Sequence, residues 1–212
     1  FDPPVIFRPN KILILEGLHT MFTPGLRKSL DFTLFVDPAK EVKSDWKIRR
    51  DIGKRGYAHD DVIREIAERE PEYERYIAPQ KEYADAVIAI DYSEYGRHLG
   101  EERNVYRITL SQSRMMHTIE NIDLSLDLYS ILSLSERNFS LEFLTSDHNG
   151  HRMGVLIADG ELSEHVVKKL ELSIEQQTQV HPISLFKHRN YVTAGDLAQL
   201  ILCWRIIHRR IF

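Results

Sequence analysis

The 212-residue chain carries 28 Lys and Arg against 32 Asp and Glu, a formal net charge of -4, with 42% hydrophobic residues and one cysteine. That length and composition allow a properly buried core, in one domain or two small ones. The mild acidity gives no reason to expect nucleic-acid or membrane binding through overall charge, and a single cysteine excludes an intrachain disulfide and suits a reducing, cytoplasmic compartment. No apolar run approaches the length that spans a bilayer. The opening "FDPPVIFRPN" lacks the basic-then-apolar order of a secretory signal. The chain begins at Phe1 rather than Met, the pattern of an excised piece, a processed product or an engineered truncation.

In chain order, "KILILEG" after "RPN" reads as an aliphatic strand buried on both faces, as in a parallel sheet. "FTLFVD" (Phe32 to Asp37) reads as a second strand. Asp37-Pro38 then predicts a helix start, with Asp37 as cap and Pro38 at the first helical position, and Gly56 ends the helix that runs toward Lys54. A further helix is expected over Asp60 to Glu70, with Val62, Ile63 and Ile66 on one side. Pro71 interrupts it and starts a short helix through Tyr76 and Ile77. "DAVIAI" supplies a third strand, so this half reads as a parallel α/β sheet.

Beyond Tyr92 the texture changes. "NVYRITLS", "FSLEFLTS" and "RMGVLIAD" alternate apolar and polar residues, with "DHNGH" as turn chemistry between the last two. An amphipathic helix closes the chain from about Ala194 to Arg210, with Leu197, Leu200, Ile201 and Trp204 inward and Cys203 as a buried small hydrophobe. The expected fold class is therefore α/β, a parallel sheet with helices extended by antiparallel strands and a C-terminal helix. Residues 1–98 form the α/β core and 99–212 a mixed β/α extension of the same domain.

Two features could carry chemistry. Glu16 stands where the aliphatic run ends and Gly17 opens a loop; ligands gather at the carboxyl ends of such strands, and a carboxylate there suits the water shell of magnesium. The plainer reading is that strands end in polar residues. The second is "DWKIRRDIGKRGY" (Asp45 to Tyr57). On a helix, Val42, Trp46 and Gly53 share the inward face, while Lys47, Arg50 and Lys54 line a neighbouring stripe and Arg55 follows at the end. Such a stripe can neutralise a triphosphate. Spacing alone favours a solvated face, with Asp45 and Asp51 compensating. His19 reads as a loop histidine with a possible ligand contact, His59 as a residue at or before a helix start, and "HRNY" and "WRIIHRR" as solvated basic clusters. No metal-ligand spacing, nucleophile elbow or GxxxxGK[ST] loop occurs in the 212 residues.

The series "RPNKILILEGLH", "LDFTLFVD", "WKIRRDIGKRGY", "REPEYERYIAPQK" and "YADAVIAI", covering about residues 8 to 90, resembles the phosphoribulokinase and uridine kinase family of P-loop kinases in order and spacing. Trp46, Pro71 and "PQK" (Pro79 to Lys81) lean toward phosphoribulokinase. The resemblance implies ATP and Mg²⁺ as cofactors and a sugar phosphate, ribulose 5-phosphate, as acceptor. It also implies Glu16 as the acidic residue acting on magnesium, and Arg50 and Arg55 as phosphate-facing lid arginines beside Lys47, Arg49 and Lys54. A homodimer is expected, with no nucleic acid and no membrane as partner. The family's phosphate loop and catalytic aspartate come before the strand of Glu16, so this chain alone is expected to be inactive. The alternatives are a uridine kinase-like enzyme for another small hydroxylated metabolite, or a binding and assembly module without a phosphate loop.

Overall fold

A computed structural model describes residues 8, 12–95, 105–113, 139–148, 151–179, 181 and 190–211. A four-residue helix, α1 (Pro24–Arg27), precedes strand β1 (Leu34–Pro38). Helices α2 (Lys40–Gly53) and α3 (His59–Glu72) connect β1 to strand β2 (Ala86–Tyr92), by way of a π turn (Tyr73–Ile77) and a 3₁₀ turn (Ala78–Tyr83). Strands β3 (Tyr106–Ser113), β4 (Phe139–His148) and β5 (His151–Ser163) follow, then α4 (Glu164–Thr178), β6 (Tyr191–Thr193) and α5 (Ala194–Ile211). The sheet runs β1-β2-β3-β5-β4, with β6 on β5. Among the described residues only β1 and β2 pair in parallel; every other pairing is antiparallel. The fold is thus α/β with a mixed sheet, an antiparallel extension and a C-terminal helix, as the alternation of patterns predicts.

The β1–β2 register is locked where both strands begin. Asp85 Oδ2 accepts from the Thr33 backbone N–H and hydroxyl, both at 2.8 Å, and the Thr33 hydroxyl oxygen accepts from the Asp85 N–H at 2.9 Å. Leu34 consequently lies opposite Ala86. The period-2 alternation of β3 and β5 puts Ile108 and Ala158 side by side on one face, and α5 packs across it with Leu197, Ala198 and Leu200. Burying each large aliphatic side chain contributes roughly 1.5–3 kcal/mol, which makes this the main core. Thr193 and Asp196 cap α5 reciprocally: Asp196 Oδ2 accepts from the Thr193 N–H at 3.0 Å and hydroxyl at 2.8 Å, and the Thr193 hydroxyl accepts from the Asp196 N–H at 3.2 Å.

Several expectations need correcting. Ile12 to Glu16 form no strand; Ile12, Leu13, Ile14 and Leu15 are 49–85% exposed. A strand buried on both faces needs neighbours, and among the described residues β1 pairs with β2 alone. Leu34 and Val36 on β1 are likewise exposed. Pro38 ends β1 instead of starting a helix, and Ala39 occupies the cap of α2 without a side-chain bond. Gly56 does end that segment, at φ +72°, a left-handed value that glycine adopts without strain. Helix α3 runs through Pro71 to Glu72, and a π turn follows it. Ile63 faces solvent while Val62 is buried. Cys203 is exposed on α5 rather than buried, though partial desolvation raises its thiol pKa. The turn at Asn149-Gly150, His188 and Arg189 of "HRNY", and the side chains of "WRIIHRR" other than Ile206 lie outside the described residues.

Candidate anion site on helix α2

Helix α2 leaves the carboxyl end of β1, the end at which open α/β sheets collect ligands. Its fully buried residues are Val42, as the spacing predicts, and Asp51, which it does not; Trp46 is 37% exposed and Gly53 faces solvent. Asp51 is a carboxylate at 1% exposure, and it is buried because it is paired. Arg50 reaches it with two N–H groups, Nε to Oδ1 at 2.8 Å and Nη2 to Oδ2 at 3.2 Å, and Arg55 Nη1 donates to Oδ1 at 3.1 Å. Both guanidinium groups remain about half exposed, at 52%. Of the five N–H donors each arginine carries, Arg50 commits two and Arg55 one to this carboxylate. The arrangement holds two arginines side by side with donors to spare, which is what recognition of a phosphate requires.

The Arg50 hydrogen bond holds the Asp51 carboxyl below the ordinary range, helped by the charges of Arg50, Arg55 and Lys47 and opposed by desolvation. Because the folded pKa is depressed, the pairing stabilises the fold fully above the unfolded pKa and loses that effect as pH falls through the folded value. Asp51→Asn should therefore unfold at a lower temperature than wild type from pH 5 to 8, and the gap should close below about pH 4. Thermal unfolding followed across pH checks this; a gap that is constant into acid would contradict it.

Lys47, expected among the free bases, is half-buried and paired with Glu65 of α3 at 3.0 Å, and Arg69 reaches the same carboxylate at 2.7 Å. The Lys47 hydrogen bond is the main cause that lowers the Glu65 pKa. Lys47 thus ties α2 to α3. Arg49 and Lys54 are exposed, so the outward cations are Arg49, Arg50, Lys54 and Arg55. At the start of α2, Asp37 of β1 is paired with Lys81. The other flank is anchored to the antiparallel half of the sheet. Trp46 Nε1 donates to the Tyr106 hydroxyl at 2.6 Å with the rings edge-on, and the Tyr92 hydroxyl donates to Asp45. Burial first, and then the Asp45 carboxylate, push the Tyr92 hydroxyl pKa up to about 12.

Glu16 is exposed in the loop before Gly17, whose φ is +154°. His19 is exposed with its ring edge-on to Phe22, 5.6 Å between centroids. No hydrogen bond or ion pair joins either residue to α2 among the described residues. The loop is tied instead to Gln80, a residue to which the sequence assigned no role. No group of three or more His, Cys, Asp or Glu side chains converges as a metal cage among the described residues. A lone exposed carboxylate fits magnesium only in the manner of phosphate sites, where one or two carboxylates share the ion with substrate oxygens and water. On donor chemistry Glu16 meets that requirement.

Known proteins resemble the first part of the chain. Residues 1–91 match the Phosphoribulokinase / Uridine kinase family profile. This segment, under half of the chain, is similar to that family. The Arabidopsis thaliana chloroplastic phosphoribulokinase is 46% identical over 89 residues, 42% of this chain and 22% of the relative. The Synechocystis phosphoribulokinase is 43% identical over 89 residues and 27% of its length, and the Proteus mirabilis uridine kinase 34% identical over 83 residues and 39% of its length. The matched stretch spans about a quarter of the curated phosphoribulokinases. It contains Glu16, His19 and the whole of α2. Tyr106, which anchors Trp46, lies beyond it. No helix among the described residues is long and apolar enough to cross a membrane.

Proposed function

We propose that this chain is the lid-bearing portion of a phosphoribulokinase-type phosphotransferase, which moves the γ-phosphoryl of ATP to ribulose 5-phosphate with Mg²⁺. The observation that carries the proposal is the pair of half-exposed arginines, Arg50 and Arg55, clamped on buried Asp51 within a family-matched helix. In phosphoryl transfer the protein chiefly positions groups and stabilises spreading charge, so a preorganised arginine pair supplies what the reaction needs. Arg49, Lys54, Lys47 and His19 serve as neighbouring phosphate- or substrate-side groups. The relatives named phosphoribulokinase are more similar than those named uridine kinase, which favours the pentose phosphate over uridine. No glycine-rich phosphate cradle lies within the 212 residues, so this chain alone is expected to bind polyphosphate without turnover. A cytoplasmic homodimer belongs to the same proposal, with the β4 edge, which no further strand covers among the described residues and where Phe143 and Leu144 are exposed, as the surface a second copy extends.

Calorimetric titration with inorganic tripolyphosphate, with and without Mg²⁺, tests the reading. Binding should occur in both conditions and tighten with Mg²⁺. Glu16→Gln should abolish the tightening while leaving metal-free binding within about twofold, since a carboxylate that meets the ion through water contributes only when the ion is there. No binding, or an unchanged Mg²⁺ response in Glu16→Gln, would sink it. Uridine outcompeting ribulose 5-phosphate in the complete protein would move the assignment to the uridine kinases.

A further inference from the structure

Gln80 is 3% exposed, and both polar atoms of its amide are engaged. Nε2 donates to the Leu18 carbonyl and the Tyr76 carbonyl, each at 2.8 Å, and Oε1 accepts from the Met21 N–H at 3.0 Å. Glutamine is mostly an exposed residue, because burial obliges the amide to recover every hydrogen bond it gave up to water. Here the side chain reaches across about sixty positions of sequence to do so. Two of its three partners are backbone groups of the loop that carries Glu16, Gly17 and His19.

Among the described residues, the other holds on that loop gather at its far end, at Met21 and Phe22. The segment has no regular structure before α1 at Pro24. Its internal backbone tie is Phe22 N–H to the His19 carbonyl at 3.2 Å, and the Thr20 hydroxyl meets the Gly17 carbonyl only at 3.5 Å. The Met21 side chain is buried against Phe35 and Val87, and Arg27 Nη1 donates to the Met21 carbonyl at 2.7 Å. Those contacts fix the far end of the loop. Between Gly17 and Met21 the grip on the backbone comes from Gln80, and the Tyr76 bond stops the amide from turning over.

We infer that Gln80 is a positioning residue: it sets the Glu16-bearing loop against the sheet so that the carboxylate meets a magnesium-bound polyphosphate in a fixed place. The inference rests on the phosphotransferase reading for its purpose, but its geometry is separately testable. Amide hydrogen exchange by NMR and titration with tripolyphosphate are run on the intact chain, Gln80→Met and Gln80→Glu. Methionine keeps the shape and removes all three bonds; glutamate keeps an acceptor for Met21 N–H and loses the donors to the Leu18 and Tyr76 carbonyls.

In Gln80→Met the Met21 amide should exchange about tenfold faster, the scale of one lost net hydrogen bond, with Val62 and Leu110 amides at wild-type rates. The Mg²⁺-dependent gain in tripolyphosphate affinity should disappear while metal-free affinity stays. Gln80→Glu should restore Met21 protection to within about threefold of wild type. Equal acceleration of Met21, Val62 and Leu110, a wild-type Met21 rate in Gln80→Met, or loss of folding in both variants would overturn the inference. If the unaltered chain shows no Mg²⁺ effect, the phosphotransferase reading fails, and the Met21 rates still decide whether Gln80 holds the loop.

Discussion

Arg55→Ala is expected to weaken tripolyphosphate binding by about ten- to a hundredfold, the scale of a lost charge-assisted hydrogen bond to phosphate, while shifting the thermal midpoint by no more than about 2 °C. The asymmetry follows from the geometry around Asp51. Arg55 gives that buried carboxylate one of its three side-chain hydrogen bonds, and Arg50 gives it the other two. Removing Arg55 therefore leaves Asp51 with its bidentate partner. Arg50→Ala should show a similar loss of affinity together with a midpoint lowered by about 5 °C or more, because a buried carboxylate then keeps a single donor. Titration calorimetry and thermal unfolding on both variants separate the two cases. If Arg55→Ala loses stability and affinity together, or neither, the helix is a structural element with a charged surface and the anion site is wrong.

The second large effect lies on a helix beyond the family-matched stretch. Leu197→Ala should destabilise the fold by about 2–5 kcal/mol, the range for emptying a large aliphatic site in a close-packed core, lowering the midpoint by about 10 °C. Leu197 is 1% exposed and belongs to the cluster of Ile108, Ala158, Leu162 and Val192. Ile88 and Ile90 of β2, inside the family-matched stretch, pack against that same cluster. The loss should therefore appear in amide exchange of β2 as well as of β3 and β5. Acceleration confined to residues beyond 105 would mean that the two halves melt independently.

What could be read from the sequence divides along physical lines. Strand and helix periods are local properties, so β2, β3, β5 and α5 emerge from their patterns within a few residues. The exposure of Ile12 to Leu15 could not be read that way, because the burial of a strand depends on what pairs with it rather than on its own side chains. Helix α2 illustrates both sides. Its position and basic stripe follow from spacing, yet hydrophobicity ranks Trp46 above Asp51 as an interior residue, and the reverse holds. Neighbouring guanidinium groups cancel the cost of burying Asp51, while the Trp46 indole N–H needs the Tyr106 hydroxyl, sixty residues away, and stays near the surface to reach it. Gln80 was invisible for the same reason. Its partners, Leu18 and Met21, are distant in sequence, and only the "PQK" tripeptide hinted that the position mattered.

The exposed run Ile12 to Leu15 also bears on how the chain behaves when concentrated. Four consecutive exposed aliphatic residues without proline or charge make a template for intermolecular pairing. Lys11 and Glu16 flank the run and act as charged gatekeepers, one at each end. Refolding yield should accordingly fall steeply with protein concentration, and adding charge at Leu13 or Ile14 should recover it without touching the packed core.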